Sequence, residues 1–309
     1  MPVLDGVIVA LLTPVDLAGR VDPGALRQLV AKLLDRGVTG ISPLGSTGEG
    51  YSLDLDQRLA VVDTVAAAVP PGTPVVPGMF APNPDRAVAE IAAYAGHGGT
   101  AVLAAPPAYY PLTAAEQQAY FSRLADAAAL PLVLYNIPVF TKIVIDPAVA
   151  AGLAAHPRVA GLKDSGRDLD YAARLLDLLA AGQAADPADS GFSVLTGTDT
   201  MLVSYLLAGA RGTICANANI VPEVVRAAYD AVLAGELADA LRHEARLRAV
   251  QRLFPGGATA AYKAAMAATG TGERWLVPPR LALSDAAAAR LASELAALGV
   301  GQVTGRAEG

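Results

Sequence analysis

Short apolar runs rich in β-branched residues recur along the chain at roughly 30-residue intervals, the length of one strand–loop–helix unit. The pattern predicts strands over 6–12, 40–44, 74–78, 101–104, 132–135, 159–163, 193–196 and 212–215. Apolar positions within them are continuous rather than alternating, as in parallel strands covered on both faces. Between the runs, Asp22-Pro23, Asn83-Pro84 and Asp146-Pro147 each place an N-cap side chain before a proline at the first helical position. Thr113 with Glu116 forms a capping box. Leu26, Leu29, Val30, Leu33 and Leu34 share one helical face, and Gly37 stops that helix.

These alternations place the chain in the α/β class and favour a (β/α)8 barrel of the TIM type, with an open doubly wound sheet as the alternative. From about Pro222 onward the chain reads as successive helices without a strand. The expected division is therefore a barrel over 1–230 and a C-terminal helical extension over 231–309. The small, polar stretch 181–191 is expected to lengthen the connection into the seventh strand, and the tail 304–309 to fray.

The 309 residues are 53% hydrophobic and 17% charged, with a mean hydropathy of +0.41. Alanine supplies most of that excess, and no run reaches the roughly 18 uninterrupted apolar residues of a membrane span. The net charge of −6 and the absence of a basic run exclude nucleic acid and anionic membranes as expected partners. Cys215 is the single cysteine, so no intrachain disulfide forms. His97, His156 and His243 show no metal-ligand spacing, and neither metal nor cofactor is expected. The N-terminus lacks the basic and apolar regions of a signal peptide, and a reducing cytoplasm is the expected location.

Reactive groups of a βα barrel belong at the carboxyl ends of its strands. The sixth strand ends in Lys163-Asp164, which sends an amine toward the barrel mouth. Burial there disfavours a charged amine, and a neutral one is a nucleophile. The plain alternative is a rim lysine paired with Asp164. Tyr135 closes the fifth strand and offers a phenol for proton transfer, or an aromatic packed at the rim. Gly45-Ser46-Thr47-Gly48-Glu49 follows the second strand and can hold a carboxylate with backbone N–H groups and two hydroxyls, or be a simple glycine turn. Tyr109 and Tyr110 stand between prolines as a stiff wall or subunit contact, or as a loop plug. The seventh and eighth strand ends, around Asp199 and Cys215, offer polar contacts to a hydroxylated substrate. Cys215 itself reads as a small core residue.

Five segments, GSTGE (45–49), the Tyr109-Tyr110 loop, YNIP (135–138), GLKD (161–164) and GTICANAN (212–219), stand in one order. Each is weak alone, but the ordered set is specific. It resembles the dihydrodipicolinate synthase/N-acetylneuraminate lyase family of class I Schiff-base pyruvate aldolases, from about Gly6 to about Gly270. The resemblance implies Lys163 as the imine-forming lysine and Tyr135 as the proton relay. It implies Ser46 and Thr47, beside Gly45, as the carboxylate site, with Ser46 also in the relay. Tyr109, with Tyr110 next to it, matches a tyrosine lent across a tight dimer contact. Gly197 and Ile214 match backbone contributors to the pocket. A homo-oligomer is implied, a dimer or a tetramer of such dimers.

Two departures bear on the substrate. Dihydrodipicolinate synthases usually carry arginine at the place of Phe140, and a charged fork is not replaced conservatively by a phenyl ring. N-acetylneuraminate lyases often have glutamate after the aspartate matching Asp199, where this chain has Thr200. The remaining pattern is similar to aldolases of 2-keto-3-deoxy sugar acids. Lys163-Asp164-Ser165-Gly166 with Cys215 and Asn219 is also similar to 4-hydroxy-2-oxoglutarate aldolases. Expected substrates are pyruvate or a 2-keto acid, with Phe140 and Asp199 shaping the aldehyde end. Condensation of pyruvate with aspartate semialdehyde, a keto-acid dehydratase on the same imine, and a barrel that binds without turnover stand as alternatives.

Overall fold

The computed structural model describes residues 4–182 and 191–300. The eight strands are β1 (Gly6–Ala10), β2 (Gly40–Ser42), β3 (Gly78–Met79), β4 (Val102–Ala104), β5 (Leu132–Asn136), β6 (Val159–Asp164), β7 (Ser193–Thr196) and β8 (Gly212–Cys215). Helices α1 (Pro23–Leu34), α2 (Leu55–Ala68), α3 (Pro84–Gly96) and α4 (Ala114–Ala127) follow the first four strands. After β5 come α5 (Pro138–Thr141) and α6 (Pro147–Leu153), then α7 (Leu169–Ala181), α8 (Leu202–Leu207) and α9 (Pro222–Leu233) after β6, β7 and β8. The chain continues as α10 (Leu237–Gln251), α11 (Thr259–Ala268) and α12 (Asp285–Ala297).

All strand pairs are parallel, in the order β2-β1-β8-β7-β6-β5-β4-β3. The ring closes between its two ends. Ile41 N donates to Pro74 O at 2.9 Å, Val76 N to Ile41 O at 2.8 Å and Gly78 N to Pro43 O at 2.9 Å. The third strand was expected over 74–78, but a regular ladder is present only at Gly78–Met79. Pro74 and Pro77 have no N–H to donate, so the segment joins its neighbours by scattered bonds. The structure is the TIM barrel, and the open-sheet alternative is excluded.

Strand parity divides the core. Ile8, Val76, Leu103, Val133, Leu195 and Ile214 fill the barrel interior, while the opposite faces meet the helices in a larger shell. The predicted helix starts are present in atomic detail. Asp22, Asn83 and Asp146 cap α1, α3 and α6 ahead of their prolines, and Thr113 and Glu116 form the box at α4. Residues 183–190 of the predicted long connection, and the tail 304–309, lie outside the described residues.

The helices after α9 do more than follow the barrel. Glu49, in the loop after β2, is fully buried, and Lys263 Nζ of α11 lies 2.9 Å from its Oε1, an ion pair by distance rather than an aligned hydrogen bond. Glu49 Oε2 accepts from Val277 N at 3.0 Å, and Lys263 donates to Trp275 O at 2.8 Å. Two charges taken out of water cost several kcal/mol unless each finds its partner. The pair therefore ties the C-terminal helices to the loop that carries Ser46 and Thr47.

Replacing Lys263 by methionine leaves Glu49 charged and buried with only the partly exposed Arg280, 3.8 Å from its Oε2, as a cation, and the expected loss is about 3 kcal/mol. The double variant Glu49→Gln/Lys263→Met should recover part of that loss in urea denaturation, because neither fully buried charge remains.

Candidate active site

At the carboxyl ends of the strands lies a cavity of about 270 Å³. Ser46 and Thr47 reach it from the loop after β2, Tyr135 and Phe140 from β5 and α5, Lys163 from β6, Gly197 and Asp199 from the loop after β7, and Ile214 from β8. A larger cavity of about 550 Å³ adjoins it beyond Ser46 and Phe140. That one holds Glu49 and Arg280 but neither Lys163 nor Tyr135, so the smaller cavity is where an amine can act.

Register brings the two central groups together. Tyr135 and Lys163 are direct partners in the β5–β6 ladder and reach the same cavity from inner-face positions. Lys163 is 4% exposed, and its Nζ donates to Tyr135 Oη at 3.3 Å while lying 4.4 Å from the ring centre. That separation is near the roughly 2.6–3.2 Å over which a proton passes directly. A Cβ at Gly197 would fall 2.0 Å from Ser165 Oγ and 3.0 Å from Lys163 Cε, so glycine is what leaves the lysine stem its place.

The alternative pairing of Lys163 with Asp164 is not present. Asp164 has the opposite parity and points into the helix layer. There it accepts from Tyr205 Oη at 2.5 Å, Asn136 Nδ2 at 2.7 Å and Gly166 N at 2.8 Å. Burial raises its carboxyl above the usual range, and these donors oppose that shift. Asp164 holds the loop rather than the amine.

The glycine loop after β2 is tightly folded, since a Cβ at Gly50 would lie 2.0 Å from Leu44 O. Among the described residues neither the Ser46 nor the Thr47 hydroxyl has a hydrogen-bond partner, which leaves both for a ligand. Gly45 and Tyr109 do not line the cavity of Lys163. Tyr109 is 89% exposed at φ +100°, packed edge-to-face on Tyr110 at 5.0 Å beside a separate cleft with Tyr51 and Phe140.

Asp199 is buried against the cavity, its Oδ2 accepting from Asn217 N at 3.1 Å. Burial pushes its carboxyl up to about 6, against the pull of Asn217 N–H and the Cys215 thiol. Cys215 is a buried core residue whose thiol burial pushes well up. Asn219 is committed to the fold, accepting from Leu12 N at 3.0 Å and donating to Ala10 O at 2.8 Å. Sequence reasoning missed Ser165, Arg167, Gln251 and Tyr262 as cavity-lining residues. The first two follow the lysine motif closely enough to be found from it. The last two come from α10 and α11; the resemblance reached Tyr262-Lys263-Ala264-Ala265 as a C-terminal helix, but no local pattern places Tyr262 or Gln251 in the cavity. Tyr262 donates to Asn217 Oδ1 at 2.7 Å and stacks on Phe254 with centroids 4.1 Å apart. No group of three or more His, Cys, Asp or Glu among the described residues is arranged to hold a metal ion, and no described helix is long and apolar enough to cross a membrane.

A family model described as the dihydrodipicolinate synthetase family matches residues 3–298. The chain belongs to this family. Among relatives, the 4-hydroxy-tetrahydrodipicolinate synthase of Acidiphilium cryptum is 31% identical over 297 residues, covering 96% of this chain and 98% of that protein. Among solved structures, dihydrodipicolinate synthase from Thermotoga maritima superposes with a TM-score of 0.90 at 26% identity, covering 96% and 99% of the two chains. YagE, a prophage protein of the family from E. coli K12 in complex with pyruvate, gives 0.89 at 25% identity over 97% and 100%. Membership carries the chemistry that the ordered motifs implied, that of a lysine Schiff-base, pyruvate-dependent carbon–carbon lyase or synthase.

The folded protein holds the Asp199 proton more tightly than the unfolded chain does, so ionisation costs stability as pH rises through about 6. Asp199→Asn should exceed the parent in stability at pH 8 by roughly 1–3 kcal/mol, with the gap narrowing as pH falls through that value. Denaturation midpoints at several pH values read this directly, and a pH-independent gap would refute it.

Proposed function

We propose that Lys163 forms the imine with pyruvate or a pyruvate-derived 2-keto acid, and that Tyr135, Ser46 and Tyr109 move the proton. The observation carrying this reading is the buried Lys163 amine 3.3 Å from the Tyr135 hydroxyl, in one cavity with the unpartnered hydroxyls of Ser46 and Thr47. In the cleavage direction the amine adds to the keto carbon and water leaves, giving a protonated imine. The C3–C4 bond then breaks and its electrons move into a neutral enamine. The C4 hydroxyl proton passes to the Tyr135 oxygen, and the phenol's own proton moves on through Ser46. An aldehyde departs, the enamine takes a proton at C3, and water releases pyruvate from Lys163. Ser46 and Thr47, beside Gly45, hold the carboxylate and so orient the breaking bond. Gly197 and Ile214 line the keto-acid end, while Phe140 and Asp199 face the aldehyde part.

The favoured substrates are a 2-keto-3-deoxy sugar acid or a 4-hydroxy-2-oxo acid, because Phe140 gives no charged fork at the aldehyde end. A second reading is 4-hydroxy-tetrahydrodipicolinate synthase, which the name of the Acidiphilium relative favours at least as well. Tyr109, exposed beside Tyr51, Tyr110 and Phe140, fits a contact in which it reaches a neighbouring subunit's cavity, in a dimer or a tetramer of dimers. A cytoplasmic location accords with a single, buried cysteine. The barrel domain spans 1–230 and the C-terminal helical extension 231–309 under this reading.

Borohydride with pyruvate should fix a three-carbon adduct on Lys163, found by peptide mass mapping, and Lys163→Ala should abolish it. Tyr135→Phe should keep trapping yet lower turnover at least about 100-fold. Adduct formation that survives Lys163→Ala sinks the assignment, and preferential turnover of aspartate semialdehyde selects the second reading.

A further inference from the structure

Arg167 lines the same cavity as Lys163 and Tyr135, on the loop between β6 and α7. Its backbone sits at φ +60°, a region that favours glycine. The loop gives it little choice. On one side Gly166 N is tied to Asp164, and on the other Asp168 caps α7 through Asp170 N and Tyr171 N. An arginine kept in such a position carries its side chain there at a conformational cost. Among the described residues that side chain has no ion pair and no hydrogen bond. The acid that lines the cavity, Asp199, is instead turned to Asn217 N. The guanidinium charge is nonetheless felt inside the cavity, where it lowers the Tyr262 hydroxyl against a larger rise from burial.

Ring order gives this cation a direction. In a closed ring of eight strands, β2 and β6 are diametrically opposed. Under the reading above, on which this inference rests, the substrate carboxylate is held at Ser46 and Thr47 after β2, and its keto carbon is joined to Lys163. The remaining carbons then lead away from β2, toward the loops after β6 and β7, where Ser165, Arg167 and Thr200 line the wall. We propose that Arg167 is the residue that reads a second, terminal oxyanion on the substrate, so that the enzyme prefers 2-oxo acids with an anion at the far end. A guanidinium presents paired N–H donors that suit either a carboxylate or a phosphate.

The test uses three 2-oxo acids of equal reach that cannot be cleaved: 2-oxopentanoate, 2-oxoglutarate and 2-oxo-4-phosphonobutanoate. Each is trapped on Lys163 by borohydride, and the concentration giving half-maximal trapping is measured beside pyruvate. At least one anionic acid should half-saturate about tenfold or more below 2-oxopentanoate, and the lower of the two assigns carboxylate or phosphate. Arg167→Ala should bring the three acids together, and so should Arg167→Gly, which suits the backbone and protects against misfolding. Added salt should narrow the parent's preference. No anionic preference in the parent, or one that persists in both variants, overturns the inference while pyruvate trapping leaves the imine reading intact. Failure of pyruvate itself to be trapped overturns both.

Discussion

In the pairing of β5 with β6, Tyr135 stands opposite Lys163 and Asn136 opposite Asp164. Strand parity sends the first pair into the barrel and the second into the helix layer. A slip by one residue would exchange the two pairs, placing a carboxylate in the mouth and the amine among the helices. The surroundings of each pair forbid that slip. The outward side offers Asp164 three donors, among them Tyr205 Oη at 2.5 Å, whereas the inward side offers Lys163 a phenol face and the free space over Gly197. The geometry of the Lys163–Tyr135 pair is thus a consequence of sheet register, not of a flexible side chain finding its partner.

Around this rigid pair the loops carry the strain. Among the described residues, Leu44, Glu49, Tyr109, Lys142 and Arg167 are the non-glycine residues with positive φ, and all lie in connections on the carboxyl face of the strands. Such conformations persist only where neighbours over-determine them. At Glu49 the neighbours are Lys263 of α11 and Val277 of the segment between α11 and α12, and next to it Thr13 donates to Gly48 O at 2.7 Å. The C-terminal helices therefore fix the loop of Ser46 and Thr47 from outside while Tyr262 and Gln251 close the cavity wall. Fold and site share one buried ion pair.

What could be read in the chain follows the range of the interactions. Asp22-Pro23, Asn83-Pro84, Asp146-Pro147 and the Thr113/Glu116 box act within three residues, and the structure contains each where the pattern put it. Strand position was equally local, except where Pro74 and Pro77 broke the ladder that their apolar neighbours suggested. Lys163 and Tyr135 were legible because strand ends are the rule for barrels. The roles of Asp164, Asn219 and Glu49 were not, since each depends on partners that the fold brings from afar, such as Leu12 for Asn219 and Lys263 for Glu49. The place of Tyr262 and Gln251 in the cavity wall was not legible for the same reason.

The electrostatics of the cavity follow from how its charges are spent. Glu49 and Lys263 neutralise each other, Asp164 is met by neutral donors, and Asp199 is pushed toward its protonated form by burial. Lys163 faces the Tyr135 phenol at 3.3 Å. Among the described residues, Arg167 lines the wall with neither an ion pair nor a hydrogen bond to its side chain, one loop further along the ring than Phe140. Phe140 is 60% exposed where three cavities meet and offers only apolar surface. Its lack of charge does not by itself make that side of the cavity neutral, because the β6–α7 loop supplies a guanidinium from the adjacent side. Specificity in such a mouth is set by the sum of the loops that face it, and a single position read alone misstates the field a substrate meets.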